Sequence, residues 1–470
     1  MKYASVLLAV TCLLSAVKAQ YWNGPFQVTS DTFDDINPST FKEWIYDATP
    51  CLVWQTNRAG NWDIYSMFHG YGGDMVVAVC RDSADDVNPV VACSNETLGH
   101  SWCVWEQRES PVAGRICASF SPQPDSWESP VQIGRCLHDA GDSSQPSVIA
   151  IGGESADTTW IVWTNHDTSG WYVEYSFNAG DSWTTPMIAI AQASPILHAR
   201  LGRRDRGSYH GCPLLVWETN GDIFRTEYVG GSWTIPHGIT HSPALDRNPE
   251  VLSLSFTFSG PLGPAIVWES TQDGDTAIFG TTDDSLVQFG RWCDSSGAGN
   301  NWTPCGTPSL YPCCAPPVWV LPVWVSDRGG NRDIYARLES GEDGYVDNDP
   351  ADDINPTLTT QGLTRNVCWW QSNRSGNWDI WYSYFYVNGM EEKRHPSTRA
   401  RQLGPTVVRG VLFLAEATSL KPQAASLLDI AGREVLELQT GPNDVRALAP
   451  GVYFVRLGQT SPATKIVVHR

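Results

Sequence analysis

Helical patterning is what this sequence most lacks. Few stretches place apolar residues at the three- and four-residue spacing of an amphipathic helix, which argues against an α-rich fold. Beyond residue 20, no apolar run is long enough to cross a bilayer as a helix. GxSxG, HExxH, P-loop and dinucleotide fingerprints are missing, so the commonest hydrolase, metalloprotease and nucleotide-binding signatures do not apply. There is no CxxC pair, no zinc-type Cys/His spacing and no EF-hand spacing. Positive charge is also scarce, with 31 Lys and Arg against 51 Asp and Glu, a formal net charge of −20. The two ends, 1–20 and 403–470, each carry +2, which leaves −24 on residues 21–402. Such a body repels nucleic acid and anionic membranes and favours cations or neutral ligands such as sugars.

What is abundant is tryptophan (22 residues), glycine and proline, the composition of a β-rich chain with many turns. One stretch recurs almost verbatim. LVWQTNRAGNWDIY from Leu52 to Tyr65 returns as CWWQSNRSGNWDIW from Cys368 to Trp381, and in weaker form as PVWVSDRGGNRDIY from Pro322 to Tyr335. Two apolar, aromatic-rich runs around an Asn/Gly loop predict a β-hairpin. The Trp of the first run recurs at Trp54, Trp105, Trp163, Trp217, Trp268, Trp324 and Trp370. A repeat of about fifty residues fits four short strands and their loops, one propeller blade.

Upstream of the anchors lie acidic turns ending in proline: Asp34–Pro38, Asp85–Pro89, Asp142–Pro146, Asp246–Pro249 and Asp352–Pro356. They are expected to lead into each first strand, their aspartates capping the turn. Ser126-Trp127, Ser182-Trp183, Ser232-Trp233 and Asn301-Trp302 are expected to open fourth strands. Trp22 to Thr29 looks like a fourth strand with no blade before it, and the last unit stops after its third strand near Val387. The economical reading is all-β: a seven-bladed β-propeller over 21–388, closed by an N-terminal strand that removes free sheet edges.

The hairpins resemble the repeats of TolB-like, WD40-like propellers. Ser176 to Trp183 resembles the Asp-box of sialidase-type propellers, with Asn178 for the Asp and Ser182 for the Thr. Both motifs mark architecture and accompany many functions. After a polar linker, 389–402, residues 403–470 carry alternating apolar runs. Leu428 to Val435, Pro450 to Arg456 and Thr464 to Val468 resemble, in order, three segments of type IX secretion C-terminal sorting domains, although Gly404-Pro405-Thr406 stands where that family usually opens with Pro-Asn-Pro. The resemblance implies a small C-terminal β-sandwich, the type IX machinery as partner, a Gram-negative host and removal of the domain after export. Residues 1–20, with Lys2, an apolar run from Ala4 to Ala16 and Ala-Val-Lys-Ala before Gln20, read as a secretory signal. The expected location is therefore outside the cell or on the outer-membrane surface, reached through the periplasm.

Signal cleavage would leave twelve of the 13 cysteines, an even number that points to disulfides in an exported chain. Cys103 with Cys117 and Cys293 with Cys305 are the candidate pairs, and metal binding by Cys313-Cys314 is less favoured. In a propeller the blade-entry turns and the loops between second and third strands open on one face. Arg58, Arg328 and Arg374, with Asn57 and Asn373 beside two of them, would then form an arc able to bind a carboxylate or sulfate. Repetition in successive units favours a bracing role instead. Glu106, Glu218 and Glu269 follow the anchor Trp in three units and could bind Ca²⁺ or act as glycosidase acid and base. Solvated or loop-bonded glutamates are the favoured reading, so no cofactor is expected, calcium being the one considered. Trp62, Trp171 and Trp378 stand outside the repeated positions and are candidates for sugar stacking. The reading that follows is a surface or secreted propeller that binds a glycan or protein ligand, and more a binding module than an enzyme. A glycoside hydrolase of sialidase-like type is the alternative.

Overall fold

The structure, a computed structural model, describes residues 22–386 except, chiefly, 42–50, 69–74, 94–99, 138–144, 152–157, 205–210, 253–264, 283–289, 294–298 and 310–318, together with strand segments between 406 and 469. The signal segment 1–20, the linker 389–402 and Cys313-Cys314 lie outside the described residues. The chain divides into two compact units, 1–390 and 391–470.

The first unit is all-β. After β1 (Asn23–Gln27), sheet 1 comprises β2 (Asp35–Thr40), β3 (Cys51–Thr56), β4 (Asp63–Phe68) and β5 (Met75–Cys80). Sheet 2 follows with β6 (Asp85–Cys93), β7 (Ser101–Ser110), β8 (Ala113–Ser121) and β9 (Val131–Leu137). Sheet 3 has β10 (Ser147–Ile151), β11 (Thr158–Asp167), β12 (Gly170–Asn178) and β13 (Met187–Gln192). Sheet 4 has β14 (Leu197–Arg204), β15 (Cys212–Thr219) and β16 (Asp222–Val229), edged by the short β17 (Ser232–Trp233) and β18 (His237–Gly238). In sheet 5 are β19 (Asp246–Leu252), β20 (Ala265–Ser270), β21 (Ala277–Thr281) and β22 (Gly290–Arg291). Sheet 6 is built from β23 (Asn301–Ser309), β24 (Trp319–Ser326), β25 (Asp333–Arg337) and β26 (Asp343–Asp347). Sheet 7 has β27 (Asp353–Gln361), β28 (Arg365–Ser372) and β29 (Asp379–Tyr386), and its fourth strand is β1, with Phe26 opposite Tyr382.

Within each sheet neighbouring strands are antiparallel, and each first strand touches the first strand of the next sheet; β27 touches β2 in turn. The sheets therefore stand around an axis as in a β-propeller. The seven anchor tryptophans, all on second strands, are at most 1% exposed. Each packs on the sheet before it: Trp105 joins Val53 and Ile64 of sheet 1, and Trp163 joins Val104 and Ile116 of sheet 2. Trp54 lies against Val367 and Ile380 of sheet 7. Gly134 on β9 shows how tight this contact is, since a Cβ there would sit 2.5 Å from the Trp163 ring. Truncating one such Trp would cost about 3–5 kcal/mol.

Three sequence expectations change. The acidic Asn-Pro motif is not a turn ahead of the strand. β2, β6, β19 and β27 have already begun at or before its last Asp, and Asn37, Asn88, Asn248 and Asn355 adopt φ near +53° at a bulge inside the strand. Asn tolerates that left-handed conformation better than most residues, which explains the residue type. Asn301-Trp302 opens a first strand, β23, not a fourth, because Asn301 stands where other units carry the strand-opening Asp. The expected disulfides are not formed: among the described residues no disulfide joins Cys103 to Cys117 or Cys293 to Cys305. Cys103 faces Ser119, and Cys117 faces Trp105, so the two are one diagonal step apart. That spacing, about 7–8 Å between Cα atoms, exceeds disulfide reach. Cys293, just past β22, packs in the core of sheet 5 and accepts a hydrogen bond from Ile278 N–H, whereas Cys305 on β23 packs with sheets 6 and 7.

In the second unit, β30 (Thr406–Arg409), β32 (Ala425–Leu428), β33 (Glu434–Leu438), β35 (Gly451–Leu457) and β36 (Thr464–His469) form one sheet. β31 (Val411–Leu414) pairs with β34 (Gly441–Asp444) in another. Leu427, Leu438, Val445, Val455 and Val468 form its core.

Candidate functional site: the axial cavity

The first strands surround a cavity of about 250 Å³. Each sheet contributes one residue at an equivalent position, Ser39, Val90, Ser147, Arg200, Glu250, Cys305 and Thr357, which in every sheet but the third lies two places after a positive-φ bulge residue. Strand alternation aims these side chains the same way, so the fold sets a ring of like positions around the axis. Five are neutral. The other two form an ion pair, Arg200 Nε to Glu250 Oε2 at 3.5 Å, between sheets 4 and 5. Arg200 also donates through Nη2 to Gln145 Oε1 at 2.5 Å and through Nη1 to the Ala199 carbonyl. Burial pulls the Arg200 guanidinium below its ordinary pKa, and Glu250 opposes that pull. Carboxamides line the same space: Asn37, Asn88, Gln145, Asn248 and Asn355.

A second ring stands behind this one, and two of the three glutamates singled out in the sequence belong to it. In sheet 7, Gln371 follows the anchor Trp. Its Oε1 accepts from Asn355 Nδ2 in its own sheet at 3.0 Å and from Asn37 N–H in the next at 2.8 Å. Gln55 repeats the arrangement with Asn37 Nδ2 and Asn88 N–H. Glu269 does so with Asn248 Nδ2 at 2.7 Å and Thr303 N–H at 2.9 Å, and pairs with Arg247. Glu218 accepts from Asn248 N–H and contacts His198 Nδ1 at 3.0 Å. Glu106 is fully buried beneath Arg108. Glu218 and Glu269 thus accept the backbone N–H of the following sheet's bulge, and neither is among the residues lining the cavity.

The three arginines share a different geometry. Arg58 donates from Nε to Thr56 Oγ1, from Nη2 to Asp35 Oδ1 at 2.9 Å, and lies 4.5 Å over the Tyr65 ring. Arg328 uses Ser326, Asn301 and Asp343 and covers Tyr335. Arg374 uses Ser372, Asp353 and Asp347 and covers Trp381. Their forks are filled by the chain's own oxygens, so the arginines are not an open arc for an anionic ligand. Asn57 and Asn373 accept from Asp34 N–H and Asp352 N–H through Oδ1. Asp34 and Asp85 in turn accept from the backbone N–H of Trp378 and Trp62 in the preceding sheets. Trp62, Trp171 and Trp378 are half-buried, Trp171 lying 4.5 Å from the His166 ring.

The structure therefore engages the sequence candidates in bonds within a sheet, as for Arg328, or between sheets, as for Arg374 and Glu269, and brings together residues that were not singled out, chiefly Arg200 and Glu250. Their signal was a departure from the repeat, two charges where the equivalent positions are neutral.

No protein-family model and no curated protein matches the chain. Several solved structures are similar. One is an α-L-arabinofuranosidase from Fusarium graminearum in complex with an iminosugar inhibitor, 8% identical over 79% of this chain and 99% of that one, with a TM-score of 0.43. Another is a sialidase from Streptococcus pneumoniae, 8% identical over 78% of this chain and 70% of that one, TM-score 0.39. A third is a lectin from Aleuria aurantia in complex with a fucosylated disaccharide, 10% identical over 66% and 94%, TM-score 0.39.

Proposed function

We propose that residues 21–388 are a seven-bladed, carbohydrate-directed β-propeller, one blade per sheet, whose axial cavity takes a neutral sugar unit. The Arg200–Glu250 pair carries this reading. It stands in a lining of carboxamides and hydroxyls, and the pair is neutral as a whole, which suits hydroxyl-rich uncharged ligands better than anions. The test is a glycan array and a glycoside-hydrolysis screen of the mature chain and of an Arg200→Met/Glu250→Gln double variant. Removing both charges together avoids leaving one buried and unpaired. Loss of glycan binding in the folded double variant supports the site; unchanged binding moves the ligand elsewhere.

A glycoside hydrolase is the second reading. It needs two carboxyl groups about 5–9.5 Å apart, and Glu250 is the one carboxylate among the described lining residues. Turnover of any glycoside, abolished by Glu250→Gln, would establish the hydrolase in place of the binding module.

Export rests on the ends of the chain. Residues 1–20 are read as a signal, and 403–470 as a β-sandwich sorting domain for type IX secretion, supported by the order of its three motif segments. Cell fractionation tests this: a propeller retained in the periplasm with its tail intact would overturn it.

A further inference from the structure

Between neighbouring sheets the same place is repeatedly occupied by a cation. Where sheet 7 meets sheet 1, Arg58 lies against Asp31 and Asp35, at 3.2 and 2.9 Å. Where sheet 6 meets sheet 7, Arg374 lies against Asp347, Asp349 and Asp353. In both, acids from the end of a fourth strand, or just beyond it, and from the start of the next first strand converge on one guanidinium. Where sheet 1 meets sheet 2, the acids are again present. Cys80 ends β5, Asp82 follows two residues later, and Asp86 lies at the start of β6. Cys80 and Asp82 align with Asp347 and Asp349, and Asp86 with Asp353.

The cation is different here. The fourth residue after the anchor Trp, arginine at 58 and 374, is Glu109 in sheet 2, and Glu109 pairs with Arg115 and Arg135. Among the described residues no lysine, arginine or histidine forms an ion pair with Asp82 or Asp86. Neutral groups serve them instead: Gln107 Nε2 donates to Asp82 Oδ2 at 2.8 Å and to Asp86 Oδ1 at 3.2 Å, Trp105 Nε1 donates to Asp86 Oδ1 at 2.7 Å, and the Cys80 thiol lies against both acids. Asp86 is fully buried, and its second oxygen, Oδ2, has no hydrogen-bond partner. The Cys80 sulfur and one oxygen from each aspartate lie within 4.8 Å of one another.

We propose that Cys80, Asp82 and Asp86 hold a zinc-type divalent cation that joins sheets 1 and 2 where arginine joins the neighbouring pairs. The ligand chemistry selects the metal class. Calcium and magnesium take oxygen ligands, whereas a thiolate with carboxylates suits zinc and cobalt. Cys80 Sγ lies 3.8 Å from Asp82 Oδ2. Tetrahedral zinc with ordinary bond lengths puts sulfur and oxygen ligands about 3.5 Å apart, so a small closure completes the edge. Gln107 can offer its carbonyl oxygen as a fourth ligand by turning its amide over. On binding, the Cys80 thiol gives up its proton to solvent and the sulfur forms the metal bond.

The experiment uses the full chain, freed of metal with a chelator and then titrated with Zn²⁺ by calorimetry and with Co²⁺ by absorption spectroscopy. One ion per chain is expected, with a thiolate-to-cobalt charge-transfer band and a raised Tm. Asp82 is exposed, so Asp82→Asn should fold normally while losing about tenfold or more in zinc affinity. Cys80→Ser should lose the cobalt band. Absence of stoichiometric uptake by the wild-type chain would overturn the proposal. So would uptake and cobalt spectra that are unchanged in both variants.

Discussion

The side-chain oxygen of Gln371 accepts the backbone N–H of Asn37 at 2.8 Å, joining residues 334 positions apart in the chain. With Asn355 Nδ2 as its second donor, Gln371 is buried and its acceptor is saturated. Gln371→Ala would leave the Asn37 N–H without this partner in a half-dry site, at a cost of about 1–3 kcal/mol. Gln371→Glu keeps the acceptor, and Glu269 fills the same role in sheet 5, so it should cost less. Urea denaturation of the two variants gives the ranking; equal losses would mean that the acceptor is immaterial.

Removing residues 21–30 takes β1 from sheet 7. Phe26 stacks on Tyr384 and Trp22 meets Phe385 edge-on at 4.7 Å, while Thr29 and Gln27 bond Asp379. The deletion exposes the β29 edge, an open template for pairing with other chains. A lower Tm and concentration-dependent association in size-exclusion chromatography are expected; a monomer of unchanged Tm would contradict this role for β1.

Among the described residues Arg374 is the one guanidinium paired with both Asp347 and Asp353, which are buried. Burial pushes the Asp353 carboxyl upward even with Arg374 beside it. Arg374→Met leaves two buried carboxylates facing each other, and the loss should be about 3–5 kcal/mol at pH 7. At pH 5 the loss shrinks, because protonating either acid relieves the repulsion. Chemical denaturation at both pH values checks the difference.

Asp333 gives a pH dependence of defined sign. Burial raises its carboxyl from the ordinary value to about 6, against the Asn331 hydrogen bond that lowers it. The folded chain therefore holds this proton where the unfolded chain has released it. The associated stability is complete below the unfolded pKa near 4 and is lost as pH rises through about 6. Asp333→Asn should flatten the stability profile between pH 4 and 7 and raise stability at the upper end. A profile as steep as that of the parent chain would locate the dependence in other acids.

The parts of this fold that were legible in the sequence are those written in residue spacing. Seven buried tryptophans at near-regular intervals marked the second strands, and Trp22–Thr29 read as a fourth strand with no blade before it while the last unit stopped after its third. Side-chain direction across sheet boundaries was not legible. Asn37 and its equivalents looked like turn residues because Asn-Pro usually marks turns, whereas a positive φ inside a strand made them bulges whose N–H groups point to the preceding sheet. The cysteine count was even, yet pairing depends on register, and Cys103 and Cys117 miss each other by one diagonal step. Arg200 and Glu250 were overlooked because attention went to repeated residues, while the cavity's character lies in the two positions that break the repeat.

The β1–β29 pairing also orders events in time. Asn23 lies opposite Tyr384, so the strand that opens this unit must wait for the one that closes it. Contacts of such long sequence separation form late, after the nearer hairpins have collapsed. During that interval the nascent unit is an open arc with two unsatisfied sheet edges. Until the far end of the unit arrives it stays extendable, and the pairing of β1 with β29 then locks the sheets together.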